Sequence, residues 1–220
     1  MDFSPILLSM KTASVAMIFT FFLGLLAARW VVGLRRQAVK LVVDVLFTLP
    51  LVLPPTVVGF FLLFTFGTRR PVGQFLLEFF GVRIVFTWWA TVLAAVVIAF
   101  PLMYRAARGA FEQVDPDLVA AAKTLGLGEF RILWQVLLPT ALPGVASGAI
   151  LAFARGLGEF GATAMIAGNI AGQTRTLPLA VYSSVAAGDM ATAAVYVMIL
   201  VAIAVIVVCG MNWFALWKRG

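Results

Sequence analysis

Long apolar runs, separated by short polar stretches, dominate the pattern of this chain. They cover about residues 12–32, 42–66, 84–104, 140–167 and 192–217. An α-helix rises ~1.5 Å per residue, so ~20 residues cross the ~30 Å hydrocarbon core of a bilayer. The pattern therefore predicts an all-α membrane protein with about five transmembrane helices.

The second run is interrupted by prolines near its middle, at Pro50, Pro54 and Pro55, with Gly59 after them. Each proline removes a backbone donor and clashes with the carbonyl four residues earlier, so the helix should kink or break here. A packing kink is one interpretation. In the other, a restarted helix offers the amides from Thr56 to Gly59 to an anion along a transport pathway.

A stripe of small residues marks the fourth run, in which Thr140, Gly144, Gly148, Ala152 and Gly156 recur at every fourth position. Small residues at this spacing let another helix approach closely within a membrane. The stripe predicts helix packing without indicating which helix is the partner.

Two charges, Arg155 and Glu159, lie four residues apart in the same run. A charge at mid-membrane costs at least ~2.5 kcal/mol, so such residues normally pair and face the protein interior or a pathway. An intrahelical pair that only neutralises itself and a pair that lines the pathway are both compatible with this spacing.

The loop between the third and fourth runs, about residues 105–139, is the longest polar stretch. Asp115 and Pro116 suit the N-cap and first position of a short helix. Gly126 suits the turn that closes that helix, and a second helix should run from 129 to 137 before Pro139 starts the next span. The alanines at 120–122 fit insertion into a groove, although a surface hairpin without function is equally compatible.

Composition supports the membrane assignment and one domain over residues 1–220. Hydrophobic residues make up 63% of the chain and charged residues 11%, against ~25% in soluble domains. The net charge of +7 could suggest nucleic-acid binding, but the basic residues lie at the ends of the apolar runs. Membrane topology explains that placement better than nucleic acid does.

Basic residues also predict the orientation. With the N-terminus outside and the C-terminus inside, ten lie on the inner side: Arg29, Arg35, Arg36, Lys40, Arg105, Arg108, Lys123, Arg131, Lys218 and Arg219. Five lie on the outer side, where Arg69 and Arg70 are the strongest contrary signal: Lys11, Arg69, Arg70, Arg83 and Arg175. Two half-apolar segments, 73–82 and 177–187, are expected to lie along the outer membrane surface.

The chain carries few residues that could perform chemistry. It has no histidine, one cysteine (Cys209) and no Gly-x-x-x-x-Gly-Lys-[Ser/Thr] phosphate loop, so neither a metal site nor an ATP site is expected. An intramembrane protease would need a Ser–His pair or two mid-membrane aspartates, whereas Asp44 and Asp189 lie near run ends. An ion-coupled secondary transporter is the more serious alternative, but its only candidate carboxylate, Glu159, has Arg155 beside it.

The loop resembles the EAA motif of ABC importer permeases, which reads Glu-Ala-Ala, three residues, Gly, nine residues, Ile-x-Leu-Pro. Its counterparts here are Ala120-Ala121-Ala122, Gly126 and Val136-Leu137-Leu138-Pro139, with Ala120 in place of the glutamate and Val136 in place of the isoleucine. With the stretches 49–59 and 153–163, the resemblance extends over about 5–215 and is to the permease subunit of molybdate ABC importers.

That resemblance implies a type I ABC importer permease fold and a homodimer in the plasma (inner) membrane. Two cytoplasmic ATP-binding subunits would dock on the loop and hydrolyse ATP, and an extracytoplasmic oxyanion-binding protein would deliver the substrate. This chain would then be neither an enzyme nor the holder of a cofactor. Molybdate is the implied substrate, and sulfate and tungstate permeases share the architecture.

Two groups of candidate site residues follow. The expected ATPase-coupling residues are Ala120, Ala121, Ala122, Leu125, Gly126 and Pro139. The expected pathway or gate residues are Pro54, Pro55, Thr56, Gly59, Arg155 and Glu159.

Overall fold

Helices account for all the regular structure that the computed structural model describes, which is the backbone of residues 2–217 and the side chains of residues 2–210. They are α1 (Ser4–Val32), α2 (Gln37–Val52), α3 (Pro55–Phe66), α4 (Pro71–Phe80), α5 (Trp88–Glu112), α6 (Pro116–Thr124), α7 (Glu129–Ile132), a π-helical segment (Leu133–Leu137), α8 (Leu138–Leu157), α9 (Gly161–Ala167), α10 (Leu177–Ala186) and α11 (Met190–Trp217). The all-α prediction is confirmed. Lys218 and Arg219, which contribute to the orientation prediction, lie outside the described residues.

Four helical stretches are long and apolar enough to cross a membrane: α1, α5, the continuous stretch Glu129–Leu157, and α11. The pair α2 and α3 is a fifth candidate, bent by 111° between its halves. The break predicted from the prolines is therefore present. Leu53 and Pro54 are extended there, with ψ of 143° and 134°, because Pro54 and Pro55 cannot donate the amide bonds that would continue α2.

The predicted span 140–167 is not one helix, and its correction matters for the site. It begins earlier, since α7, the π-helical segment and α8 run continuously from Glu129 to Leu157. Pro139 therefore does not start the span. Because Pro139 cannot donate to the carbonyl four residues back, the widened π-helical turn before it is a natural adjustment. The helix ends at Leu157, and α9 starts separately at Gly161.

α5 is the central helix of the bundle. It packs against α1, α8, α9 and α2, and its core-facing residues include Met103 and Tyr104, both fully buried. At its first turn, Trp88 donates to the Thr12 hydroxyl of α1 (3.0 Å), which also hydrogen-bonds Thr91 (3.0 Å). α5 extends to Glu112 rather than stopping near 104, so its ends lie about 37 Å apart at ~1.5 Å per residue.

The two segments predicted to lie on the membrane surface differ from each other. α4 is largely exposed, with only Gly73 buried. α10 instead packs against α11 and α1, and its first residue, Leu177, is buried and donates its amide to Ser9 Oγ (2.7 Å). The start of α10 is thus covered by protein, whereas Tyr182 and Val185 farther along it are 59% and 45% exposed.

Candidate functional site

The loop that follows α5 is built by local signals in its sequence. Asp115 Oδ1 accepts the Asp117 amide (2.9 Å) and caps α6. After α6, Gly126 has φ of +77°, and the Leu127 amide donates back to the Ala122 carbonyl (3.1 Å). This left-handed conformation favours glycine, because glycine has no Cβ.

The loop exposes large apolar side chains that a surface hairpin would not need. Leu125 is 81% exposed, Phe130 71% and Leu118 47%. Ala120 and Ala121 are also exposed, as is Pro139, whereas Ala122 is buried beneath them. Ala122 is thus packed inside the loop, and Leu118 and Phe130 are exposed apolar residues that the motif does not include.

A carboxylate on α7 fixes the position of this loop. Glu129 pairs with Lys123 of α6 (2.9 Å) and, through its other oxygen, with Arg29 near the end of α1. One side chain thus joins both loop helices to a membrane-spanning helix. The sequence gives no sign of this link, because Arg29 and Glu129 are 100 residues apart.

Glu129→Gln is expected to lower transport several-fold while the protein still folds. The Glu129 and Lys123 side chains are 61% and 54% exposed, whereas the Arg29 side chain is 18% exposed. An ion pair whose acid is exposed contributes about 1 kcal/mol, so global stability should fall only modestly. The position of the loop should become less defined. Uptake and thermal unfolding of purified protein would be measured together, with Glu78→Gln on α4 as the control. Equal uptake by the two variants would show that the bridge does not position the loop.

A second charged cluster lies at the same end of the bundle and was also missed from the sequence. Arg108 of α5 pairs with Asp44 of α2 and with Glu112 (3.0 Å), and Lys40 pairs with Glu112 (2.8 Å). Tyr104 adds a hydrogen bond to Asp44 (2.9 Å). The i,i+4 spacing of Arg108 and Glu112 was the one signal available. The cluster fixes the start of α2 to the end of α5.

The two helix breaks lie against each other. A Cβ on Gly161 would lie 3.1 Å from the Thr56 nitrogen, and one on Gly59 would lie 2.7 Å from Ala162 Cα. α3 and α9 therefore pack backbone against backbone. Gly59 lies in this contact, where a larger residue would not fit.

Fewer backbone amides at the start of α3 are available to an anion than the sequence predicts. Val57 and Val58 both donate to the Pro54 carbonyl, at 2.9 and 3.2 Å. Among the described residues, the Thr56 amide has no backbone acceptor. Since Pro55 has no N–H, the expected set from Thr56 to Gly59 reduces to Thr56.

Arg155 and Glu159 form an ion pair across the second break. Arg155 Nη1 donates to Glu159 Oε2 (2.8 Å), and the Ala162 amide donates to Glu159 Oε1 (2.8 Å). Glu159 lies beyond the end of α8 and is 2% exposed, while the Arg155 side chain is 31% exposed. Glu159 thus caps α9 as well as neutralising Arg155, and the pair does not lie along one helix.

The small-residue stripe of α8 lies against α5 of the same chain. A Cβ on Gly144 would come within 2.8 Å of Ala110 Cβ, and one on Gly148 within 2.3 Å of Ala106 Cβ. Farther along, Ala152 is buried, and Gly156 faces Ala95 and Ala99 of α5. Close approach of α8 to α5 accounts for the stripe.

Comparison with known proteins identifies the family. The family model of binding-protein-dependent transport system inner membrane components matches residues 20–219. The chain belongs to this family. It is therefore a multi-pass membrane transport component, in agreement with its apolar helices.

Relatives of this inner membrane component extend over almost its whole length. It is 43% identical to the molybdenum transport system permease protein ModB of Escherichia coli K12 over 219 residues, which covers 99% of this chain and 95% of the relative. It is 42% identical to ModB of Haemophilus influenzae over 183 residues, or 83% and 80% of the two chains.

Solved structures show the same fold at low sequence identity. A chain of the MetNI methionine ABC transporter in an inward-facing conformation matches with a TM-score of 0.72 at 19% identity, over 96% of this chain and 93% of that one. A bacterial alginate ABC transporter matches with a TM-score of 0.71 at 14% identity, over 96% and 77%. The type I ABC importer permease fold is thus confirmed.

Proposed function

We propose that this chain is the permease subunit of an ATP-driven ABC importer that moves molybdate into the cytoplasm. The observation that carries the proposal is the 43% identity to a molybdenum permease over 99% of the chain. A binding-protein-dependent family disfavours an ion-coupled secondary transporter. Sulfate and tungstate are the alternative substrates, since tetrahedral oxyanions of similar charge present the same chemistry to a pathway.

The proposed partners are a second copy of the chain, two ATP-binding subunits and an extracytoplasmic oxyanion-binding protein. Support for separate ATP-binding subunits comes from the sequence, which has no phosphate loop, and from the exposed Leu125 and Phe130. ATP would be bound and hydrolysed by those partners, with no cofactor on this chain. A symmetric pair would let two bundles enclose a wet path that one tightly packed bundle cannot.

The proposed orientation places the N-terminus outside and the C-terminus inside the inner membrane. The inner side would then carry the excess of basic residues, as is usual for membrane proteins. It would also hold the loop, the Glu129 bridge and the Arg108 cluster, which lie at the same end of α5. In this orientation the loop faces cytoplasmic ATP-binding subunits.

The proposed pathway passes the meeting point of the two helix breaks. Pro54 and Pro55 open the first break, where the Thr56 amide has no backbone acceptor among the described residues, and Arg155 supplies a positive charge moderated by Glu159. Contacts of this kind are weak enough for release, which an importer requires. Tight binding would then belong to the extracytoplasmic partner.

Transport by the reconstituted complex tests the function directly. Proteoliposomes containing this chain, the ATP-binding subunits and the binding protein would be supplied with radiolabelled molybdate, tungstate or sulfate. We expect ATP-dependent uptake of molybdate, with sulfate transported much more slowly. Uptake driven by an ion gradient without ATP would overturn the proposal.

Gly126→Val is expected to uncouple ATP hydrolysis from uptake. A β-branched residue at φ of +77° costs at least about 1–2 kcal/mol in backbone strain, so the turn after α6 should rearrange. Gly128→Val is the matched control, because Gly128 lies in the same loop with φ of −70° and open space around it. ATPase stimulation by substrate-loaded binding protein, compared with uptake, is the measurement. If both variants transport equally well, the geometry of this turn does not matter for coupling.

A further inference from the structure

A cleft lined by three arginines lies at the opposite end of the bundle from the loop. Arg69 and Arg70 occupy the turn between α3 and α4, and Arg83 follows α4 just before α5 begins. They share a cleft of about 450 Å³ with three aromatic residues: Phe60, Phe64 and Phe86. We call it the triarginine cleft. Nothing in the proposed transport function requires it.

The three charges of the cleft have no carboxylate partners among residues 2–210. Arg83 donates only to the Val85 carbonyl (3.3 Å), and the Arg70 guanidinium lies 3.9 Å from the centre of the Phe64 ring. By contrast, Arg29, Arg108 and Arg155 each pair with an acid. Like charges in one cleft repel each other, and a bound anion would offset that repulsion.

The position of these charges runs against the usual topology of membrane proteins. Basic residues concentrate on the cytoplasmic side, whereas this cleft lies about 37 Å along α5 from the end that leads to the loop. Arg69 and Arg70 therefore reduce the excess of basic residues on the inner side, and membrane topology does not explain their presence. A ligand on that side of the membrane gives one.

The aromatic residues that line the cleft indicate that its ligand has an apolar part. Phe60, Phe64 and Phe86 are each about half exposed, at 51%, 48% and 45%. On α4, next to the cleft, Phe75 and Phe79 are 51% and 73% exposed. A small hydrated oxyanion would gain nothing from this apolar surface. An amphiphile with an anionic head and acyl chains would use both the arginines and the rings.

Contacts near the end of α9 hold one wall of the cleft, Phe86, in a strained conformation. Phe86 has φ of +59°, an uncommon value for a bulky residue, and among the described non-glycine residues it is the one with positive φ. Its amide donates to the Ile166 carbonyl (3.0 Å), and its ring packs so closely on Gly168 that a Cβ there would lie 3.1 Å away. These contacts from the end of α9 keep the ring at the cleft wall.

We propose that the triarginine cleft binds the phosphodiester head group of an anionic phospholipid such as phosphatidylglycerol. The guanidinium groups would donate to the non-bridging phosphate oxygens, for which their planar fork is suited. The acyl chains would lie along the exposed rings of α3 and α4. On the cytoplasmic side of membranes, basic pockets between helices bind anionic head groups in this way, and the same pairing would operate in the outer leaflet. A free oxyanion shares the phosphate chemistry but not the apolar contact.

Site-specific photolabelling tests this proposal on the complete importer complex in detergent. A photoactivatable phosphatidylglycerol would be crosslinked, and the labelled peptides mapped by mass spectrometry. We expect labelling around Phe60, Phe64 and Phe86. In Arg69→Gln/Arg70→Gln it should fall by up to about 25-fold, because each exposed ion pair to the phosphate contributes up to about fivefold. Arg35→Gln/Arg36→Gln, an adjacent exposed arginine pair in another helix connection, should leave it unchanged.

Further arms of the experiment identify the ligand. Equal labelling by photoactivatable phosphatidylcholine would mean a non-selective lipid contact, and would overturn the proposal. Displacement by millimolar inorganic phosphate or molybdate would show a free-anion site and also overturn it. The proposal would also be overturned if Arg69→Gln/Arg70→Gln kept its labelling but lost docking of the binding protein. The surface would then serve a protein partner. Arg69→Lys/Arg70→Lys, which keeps the charge, should retain part of the labelling and separates lost binding from misfolding.

Discussion

Gly59→Leu is expected to abolish uptake by preventing α3 from packing on α9. Even the first added atom, a Cβ, would lie 2.7 Å from Ala162 Cα, 2.8 Å from Met165 Cβ and 2.9 Å from the Ala162 carbonyl oxygen. Two of these three neighbours are backbone atoms, so no side-chain rotation relieves the overlap. Overpacking of a core costs about 1–3 kcal/mol, a large share of a typical stability of about 5–15 kcal/mol.

A graded series makes this prediction precise. Gly59→Ala should reduce membrane abundance and thermal stability, and Gly59→Leu should reduce them further. Gly210→Leu is the matched control, because Gly210 also lies inside a helix but a Cβ there meets nothing within 4 Å. Abundance, unfolding temperature in detergent and uptake per folded molecule are the measurements. A fully stable and active Gly59→Leu would mean that α3 and α9 do not pack in this way.

The fold was predictable from sequence to the extent that it depends on local signals. Long apolar runs predict membrane helices because the bilayer sets their length. The prolines at 54 and 55 predict the first break because proline has no backbone N–H to donate within a helix. Gly126 predicts the loop turn for a similar reason, since positive φ favours glycine.

The features that sequence could not predict depend on contacts between distant residues. Hydrophobicity does not change at Gly158, so the run 140–167 gave no sign that α8 ends at Leu157. Its end is fixed by the Glu159 cap on α9 and by the close contact between Gly161 and Thr56. The Asp44–Arg108 and Arg29–Glu129 pairs join residues 64 and 100 positions apart, and a single sequence carries no record of such pairing.

The end of α8 between Arg155 and Glu159 gives this ion pair a different structural role. On one continuous helix, Arg155 and Glu159 would be a self-neutralising pair of modest value. Because α8 ends between them, Glu159 instead holds two elements together: it accepts from Arg155 on one side and from the Ala162 amide on the other. Its removal should therefore affect both the fold and the pathway, and these two effects can be separated.

Glu159→Ala is expected to destabilise the bundle strongly, whereas Arg155→Gln/Glu159→Gln should fold but transport slowly. The alanine variant leaves Arg155 without its acid and the Ala162 amide without its acceptor. Breaking a buried pair costs about 3–5 kcal/mol; because the Arg155 side chain is 31% exposed, we expect about 3 kcal/mol.

In the double variant, the amide oxygen of the glutamine introduced at position 159 can still accept from Ala162 and no unpaired charge remains, so stability should largely return. If Arg155 contacts the passing anion, uptake at matched membrane abundance should stay at least tenfold below that of the unmodified chain. Uptake at the unmodified rate would show that the pair is purely structural and that the anion passes elsewhere.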